Sequence, residues 1–238
     1  MSLYRDRGVV LRTIKLGEAD RIISVMSERH GKVRAVAKGV RKTKSRFGGR
    51  LEPTSHVALQ LYEGRSLDVI TQADGIEHHK VIREDLDRLA KATMLLEAVD
   101  QLAQEGEPNP RLYQMLVGAL RALEANDSAL LVAAFFWKAL SAAGVHPVLD
   151  QCVRCGAADD LVAFDVVEGG VLCRACRSGV PVSAPALALL RRILGGGLAA
   201  SLAEPASTVT HEVDHLATAA MEAHLERRLR SISALDRG

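Results

Sequence analysis

Apolar and polar positions alternate through most of the first 79 residues, and turn residues such as Gly17 and Gly64 interrupt the alternation. The predicted strands are Gly8 to Leu16, Arg21 to Glu28, Gly31 to Lys38, His56 to Tyr62 and Leu67 to Ala73. In the fourth strand, Val57, Leu59 and Leu61 share one face. Five short antiparallel strands without a sustained helical period favour a small closed barrel. The leading candidate is the five-stranded oligonucleotide/oligosaccharide-binding (OB) barrel.

From about His79 onward, apolar residues recur with the spacing of a helix and no longer alternate. The apolar stripe predicted for the first long helix is Leu86, Leu89, Thr93, Leu96 and Val99. Asn109-Pro110 predicts a capped second helix, and Asp127 or Ser128 a third, nearly all apolar. Helical character returns at 184–194 and from about Ser207 to Ile232. We therefore predict an α+β multidomain protein. Its OB-fold barrel domain is 1–79, its α-helical bundle domain is 80–238, and a cysteine segment is inserted at 150–180.

Charge is distributed unevenly along the chain, although the total is an ordinary +2. Residues 1–80 contain 16 Lys and Arg against 9 Asp and Glu, a net charge of +7. Residues 81–238 contain 15 against 20, a net charge of −5. This asymmetry predicts a basic N-terminal module that meets a polyanion, joined to a mildly acidic body.

The basic charge is concentrated between Lys32 and Arg50, where eight cations occur within 19 residues without an acid. On the third predicted strand, Lys32, Arg34 and Lys38 share the face opposite the barrel interior. A strand face followed by a basic, glycine-bearing loop suits a protein that tracks a nucleic-acid backbone. A merely solvated loop is the alternative. The predicted DNA-binding residues are Lys32, Arg34, Lys38, Arg41, Lys42, Lys44, Arg46 and Arg50.

Two aromatic residues lie in or beside this region. Phe47 belongs to the basic loop and Tyr62 to the outer face of the fourth strand, and either could stack a base. Ordinary packing explains each of them at least as well.

All four cysteines fall into two C-x-x-C pairs, Cys152/Cys155 and Cys173/Cys176, with 17 residues between the pairs. Two thiolates at this spacing present both sulfurs to one ion, and two such turns form a closed tetrahedral S₄ site. Residues 161–164 and 169–172 can pair as a hairpin, so we predict a zinc ribbon with one structural Zn²⁺. A closed site leaves no position for water and should not catalyse. The alternatives are two structural pairs left empty or oxidised, a redox pair, and iron in place of zinc.

The segment His211-Glu212-Val213-Asp214-His215 matches the H-E-x-x-H pattern of zinc metalloproteases on a predicted helix. The pattern is short, and Thr218 and Met221 stand where the metzincin continuation requires Gly and His. Its histidines share a stripe with other polar residues, as on a solvated face. Because Glu222 could complete a His₂Glu site, a zinc hydrolase that uses His211 and His215 stays as a lesser alternative.

No P-loop, G-x-S-x-G or G-x-G-x-x-G pattern occurs, so we predict a protein that is not an enzyme. Charged residues interrupt the N-terminus, which argues against a signal peptide. The longest apolar run, Ala129 to Trp137, is too short to span a bilayer. In a reducing compartment, two C-x-x-C pairs with no cysteine left over favour a metal over disulfides. We expect a cytoplasmic protein with no membrane partner.

Several short segments occur together in an order that is typical of one family. They are Gly17-Glu18-Ala19-Asp20-Arg21, His30-Gly31-Lys32, Ala37-Lys38-Gly39-Val40-Arg41, Lys44-Ser45-Arg46, Leu51-Glu52-Pro53, Gly144-Val145-His146-Pro147 and the two cysteine pairs. With them the chain resembles the RecO family of bacterial DNA-repair proteins along essentially its whole length. One feature departs from a standard OB barrel. A helix usually joins the third and fourth strands, and here that connection is the short basic loop.

The resemblance implies an N-terminal OB domain, a helical domain and a zinc finger. It implies a recombination mediator that binds single- and double-stranded DNA and anneals complementary strands. Such proteins help load the RecA recombinase onto strands coated with single-stranded-DNA-binding protein (SSB). The implied partners are DNA, RecR and SSB, and the implied location is the cytoplasm, at the nucleoid. The main alternative is a zinc-ribbon protein that binds RNA or is associated with transcription.

Overall fold

The computed structural model describes residues 2–229 and residue 231. These residues group into two compact units. One contains the described residues up to Ala125 together with Ser231, and the other is Asn126–Leu229. The change from strands to helices near His79 therefore lies inside the first unit.

Five strands form the barrel of the first unit. They are β1 Leu3–Leu16, β2 Asp20–Ser27, β3 Lys32–Ala37, β4 His56–Tyr62 and β5 Asp68–Glu77. They close in the order β1-β2-β3-β5-β4. All neighbours run antiparallel except β3 and β5, which pair in parallel over a short stretch. The predicted five-stranded OB-type barrel is confirmed, and β4 has the predicted bounds.

Alternation along the strands decides what fills the barrel, because successive side chains point to opposite faces. Val33, Ala35 and Ala37 of β3 are buried, as the pattern predicted. By contrast, β1 begins five residues before its predicted start, and Asp6 in this early part is buried. Its carboxylate accepts hydrogen bonds from the backbone N–H groups of Arg7 and Arg29. Since polar residues form this part of the strand, hydrophobic alternation does not reveal it.

Three helices complete the first unit. They are α1 Lys80–Glu84, α2 Leu86–Leu102 and α3 Pro110–Ala125. The first predicted helix is broken at Asp85, whose side chain accepts from Arg88 N at 3.0 Å and caps α2. The predicted stripe is wrong in its first half, because Leu86, Leu89 and Thr93 are exposed. The cap of α3 is confirmed: Asn109 accepts from Leu112 N at 3.0 Å.

The helices of the second unit are α4 Leu131–Ala142, α5 Ala184–Leu194, α6 Leu198–Leu202 and α7 Thr208–His224. Both faces of α4 are buried, as its uniformly apolar sequence predicted. Ser207 and Thr210 form a capping box at the start of α7. The end predicted for this last helix, Ile232, lies outside the described residues. The short helix α6 was not predicted.

A small sheet lies between α4 and α5 in the sequence. It consists of β6 Leu161–Asp165, β7 Gly170–Cys173 and β8 Val180–Pro181, in the order β7-β6-β8. The pairing of β6 with β7 confirms the predicted hairpin. The ring of Phe164 on β6 packs edge-on against Trp137 of α4, with 5.6 Å between ring centroids. This contact ties the cysteine segment to the helical core of its unit.

Candidate nucleic-acid interface and metal centre

The connection from β3 to β4 is a series of tight turns, and we call residues 38–50 the basic loop. The N–H groups of Lys42, Ser45 and Arg50 donate to carbonyl oxygens three residues earlier, at 3.1, 2.9 and 3.2 Å. Phe47 and Leu51 are each 1% exposed and belong to the apolar core of the barrel. Two apolar anchors therefore fix the loop to the barrel without a helix.

The cations of the basic loop point outward. The exposed ones are Lys38, Arg41, Lys42, Lys44, Arg46 and Arg50. The guanidinium of Arg41 donates to the carbonyl oxygen of Glu18 at 2.9 Å, and that of Arg50 to the carbonyl oxygen of Arg46 at 3.1 Å. Arg46 lies over the Phe47 ring, 4.9 Å from its centroid. Neutral acceptors thus orient these side chains without cancelling their charge.

Lys32 and Arg34, the other two predicted DNA-binding residues, face acids. The ammonium of Lys32 donates to the carbonyl oxygen of Asp100 at 2.5 Å and lies 3.7 Å from its carboxylate. Arg34 lies 3.4 Å from the carboxylate of Glu105. The predicted orientation of both side chains is right, but α2 and the segment after it lie against this face of β3. The structure therefore gathers six of the eight predicted cations in the basic loop.

The two aromatic residues differ in their surroundings. Phe47 packs in the barrel core, which confirms the packing explanation for it. Tyr62 is 41% exposed at the end of β4. Of the two, only Tyr62 presents ring surface to solvent.

The four cysteines come together. Their sulfur atoms all lie within 4.8 Å of one another, and Cys155 Sγ is 3.7 Å from Cys173 Sγ. Zinc–sulfur bonds of about 2.3 Å in a tetrahedron place sulfur atoms about 3.8 Å apart. None of the four forms a disulfide. The donor set and its spacing therefore fit one four-coordinate metal ion.

Tight turns present the thiols in pairs. Gly156 has a φ of 77°, which favours glycine, and its N–H donates to the carbonyl oxygen of Cys152 at 2.9 Å. The N–H of Cys176 donates to the carbonyl oxygen of Cys173 at 3.1 Å. Leu161 of β6 pairs with Cys173 of β7, so the hairpin sets the position of the second pair.

Hydrogen bonds make the thiols unequal. The backbone N–H of Cys173, helped by those of Cys155 and Arg154, lowers the pKa of Cys152 to about 6. A hydrogen bond with the Cys155 thiol, together with burial, raises the pKa of Cys176 to about 12. Thiolates are the form that binds metal, and metal binding releases the remaining protons. Of these two thiols, Cys152 therefore becomes a thiolate at lower pH than Cys176.

The H-E-x-x-H segment on α7 makes no comparable cluster. His211 and His215 are exposed, as the solvated-face interpretation predicted. The carboxylate of Glu212 accepts hydrogen bonds from the backbone N–H and the hydroxyl of Ser183, the cap of α5. Within residues 2–229 and 231, the cysteines are the only group of three or more side chains placed to hold a metal. Glu212 thus joins two helices and is not poised as a general base.

Sequence reasoning missed the residues that modify the basic surface from elsewhere in the chain. Asp100 and Glu105 belong to the acidic part of the sequence and pair with cations of β3. Arg83 of α1 lines a cleft that also borders the basic loop. No local pattern marks these three residues. The only signal in the sequence was the net negative charge of residues 81–238, which supply the acids that pair with Lys32 and Arg34.

No helix among the described residues combines the length and the apolar content needed to cross a membrane.

Comparison with known proteins gives two family matches. The profile described as "Recombination protein O N terminal" matches residues 1–79, and "Recombination protein O C terminal" matches residues 83–232.

Full-length relatives agree with the family matches. A protein of Frankia casuarinae called "DNA repair protein RecO" is 45% identical over 243 residues, covering 100% of both chains. A protein of the same name from a Nocardioides species is 44% identical over 247 residues, covering 99% of this chain and 100% of the relative. The chain therefore belongs to the RecO family of DNA-repair proteins.

Proposed function

We propose that this protein is a non-enzymatic recombination mediator. It binds single- and double-stranded DNA, anneals complementary strands and helps load RecA onto SSB-coated DNA. The observation that carries the DNA-binding part is the basic loop, which is anchored in the barrel core and whose six exposed cations form no ion pair with a carboxylate of the described residues. The mediator part rests on membership of the RecO family.

The basic loop accounts for annealing in physical terms. Two DNA strands repel each other through their phosphates, and this repulsion opposes pairing. A surface that holds one strand while its remaining cations attract a second lowers that barrier. Phosphate contacts also release counterions, so affinity should fall steeply with salt. Contacts to phosphates carry no sequence information, so binding should be tolerant of sequence.

The cysteine cluster supports a structural Zn²⁺ site. Cys152, Cys155, Cys173 and Cys176 would hold the ion, whose role is to fold the ribbon, since four protein ligands leave no open position. Iron also binds S₄ sites, but zinc suits a closed structural one better. Metal analysis of purified protein that found iron, or no metal, would contradict this assignment.

Partners and location follow the family. We propose that RecR and SSB bind this protein and that it works in the cytoplasm, at the nucleoid.

An annealing assay tests the proposal. Complementary oligonucleotides are mixed with the protein across a salt series, with and without SSB. We expect faster annealing that needs neither ATP nor added Mg²⁺, and a log–log slope of affinity against salt of about −3 to −4 for four to six phosphate contacts to a single strand. Absence of acceleration at any salt concentration would overturn the proposal.

The two alternatives make different predictions. An RNA-binding protein would prefer RNA over DNA of equal sequence in the same assay. A hydrolase that uses His211 would bind two metal ions per chain and lose activity in His211→Ala. The bonds from Ser183 to Glu212 argue against that site, and we expect His211→Ala to anneal DNA like the wild type.

A further inference from the structure

A cleft of about 560 Å³ opens between the basic loop and α1. The loop contributes Phe47, Gly48, Gly49 and Arg50 to its lining, and the other side contributes His78, Lys80, Arg83 and Glu84. Three permanent cations thus face one carboxylate. The cleft continues the positive surface of the basic loop onto a helix that lies outside the basic tract of the sequence.

Arg83 is held by neutral groups. Its Nε donates to Thr54 Oγ1 at 3.2 Å, and its Nη2 donates to Ser55 Oγ at 2.6 Å and to the carbonyl oxygen of Pro53 at 3.2 Å. Other arginines of the same unit pair with carboxylates, for example Arg21 with Glu52 at 2.7 Å. Among the described residues, no acid lies within ion-pair distance of Arg83. Hydrogen bonds therefore orient its guanidinium without compensating the positive charge.

Lys80 brings a second cation to the same rim. Its ammonium lies 3.7 Å from the carboxylate of Glu84, one helical turn away. Both side chains are largely exposed, at 80% and 66%, so water screens the pair and the contact is weak. An anion with more than one oxygen can displace such a pair and gain a contact with Lys80.

The two glycines differ in what they require. Gly48 has a φ of 53°, a conformation that itself favours glycine. Gly49 lies outside the left-handed region, and a β-carbon built on it would meet nothing within 4 Å. Neither strain nor packing explains the missing side chain. An open backbone facing a cationic cleft is what the close approach of a ligand requires.

We propose that this cleft binds one phosphate of the DNA backbone through Arg50, Lys80 and Arg83, with Gly49 leaving room for the strand to approach. The path of the DNA then runs from the basic loop onto α1. This inference rests on the proposed DNA binding and adds a contact that the basic tract of the sequence does not contain.

Two variants test it by fluorescence anisotropy with a labelled oligothymidylate across a salt series. Lys80→Gln should weaken binding about five-fold and reduce the steepness of the salt dependence by about 0.7, the loss of one phosphate contact to a single strand. Gly49→Ala should weaken binding about three-fold by crowding the approach of the phosphate.

Each variant has a matched control on α3. Arg111→Gln removes one exposed positive charge from the same unit, and Gly118→Ala adds a methyl group where nothing lies within 4 Å. Both controls should bind like the wild type. Thermal unfolding checks that the variants fold, and Lys80, which is largely exposed, carries the test if Gly49→Ala is unstable.

A third variant separates the possible failures. If Lys38→Glu/Lys42→Glu/Lys44→Glu weakens binding while Lys80→Gln and Gly49→Ala do not, the cleft inference is wrong and the proposed function stands. If all of these folded variants bind like the wild type, the DNA site lies elsewhere and both proposals fail. Equal weakening by Lys80→Gln and Arg111→Gln would also overturn the cleft inference, because it would show a general effect of charge.

Discussion

The basic loop and residues 150–181, which we call the ribbon, are both turn-rich segments with arginines at their surfaces. They differ in whether their cations pair with carboxylates. In the ribbon, Arg154 lies 3.1 Å from Asp165 and 2.9 Å from Glu168, and Arg174 lies 2.8 Å from Asp160. In the basic loop, Lys38, Lys42 and Lys44 face no carboxylate within ion-pair distance among the described residues.

The difference follows from what holds each segment together. The loop is fixed by Phe47 and Leu51 in an apolar core, so apolar contacts attach it to the barrel. The ribbon has only a small core around its cysteines, and local ion pairs and four clustered thiols that could hold a metal ion lie around that core. A cation that stabilises its own segment is not available to a partner. The proposed binding surface therefore differs from the ribbon in how far its charges are exposed and uncompensated, more than in how many charges it contains.

The largest expected effect is in the ribbon. Cys155→Ser should abolish metal binding, because structural zinc contributes on the order of 10–16 kcal/mol in small zinc-finger peptides. Residues 150–181 should become sensitive to protease, and emission of Trp137, the only tryptophan, should shift to the red as its contact with Phe164 loosens. DNA binding through the barrel should persist.

Metal analysis, limited proteolysis and fluorescence measure this outcome. Val167→Ser is the matched control, because Val167 is 88% exposed in the same hairpin and should leave metal content unchanged. Retention of one metal ion by Cys155→Ser would show that the S₄ assignment is wrong.

The next effect is on the basic loop. Lys38→Glu/Lys42→Glu/Lys44→Glu should weaken DNA binding about 100-fold at low salt and flatten the log–log slope by about 2, as three phosphate contacts are lost. Arg174→Gln in the ribbon should change affinity less than about two-fold, since an exposed, paired cation contributes little. If the ribbon variant weakened binding more than the loop variant, the contrast between the two segments would be wrong.

Lys32 allows the same comparison between paired and unpaired cations within the first unit. Lys32→Gln removes a half-buried cation from Asp100, which keeps its 2.7 Å contact with Arg12. We expect the free energy of unfolding to fall by about 1–2 kcal/mol, because a buried carboxylate loses one of two partners. The salt dependence of DNA binding should stay unchanged. Urea denaturation and anisotropy measure the two quantities, and a flatter salt slope without a stability change would place Lys32 in the DNA site.

The smallest effect concerns pH. Burial lowers the pKa of His56 and that of His79 below their ordinary value, so folding of the first unit favours the neutral form of both rings. The unfolded chain binds protons at these histidines near pH 6.5, so their contribution to stability is present above about pH 6.5 and is lost as pH falls below it. Urea denaturation followed by circular dichroism should show lower stability at pH 5.5 than at pH 7.5.

A variant checks the cause of this pH dependence. His56→Gln should weaken the dependence on pH, because it removes one group that binds a proton only on unfolding. Emission of Trp137 reports the second unit, whose histidines include the exposed His211 and His215, and should show a smaller change. An equal loss in both units would point to carboxylates as the cause.

The local pattern of apolar and polar residues predicted much of the fold, because the main elements have a clear hydrophobic period and recognisable cap and turn residues at their ends. The alternation of β4, the Asn109 cap of α3 and the apolar α4 all gave the correct type of element. Errors arose where polar residues form structure, as in the early part of β1. They also arose at Asp85, where a cap divides what looked like a continuous helical period.

By itself, the sequence determined the strand barrel, the helical body, the two C-x-x-C pairs that come together and the position of the basic tract. Each of these depends on residues that are close together in the chain. Only the tertiary structure decided which cations remain uncompensated. Asp100, which neutralises Lys32, is 68 residues away, and Arg83 borders the loop from α1. Charge compensation depends on distances of a few ångströms in space, and the order of residues along the chain does not fix those distances.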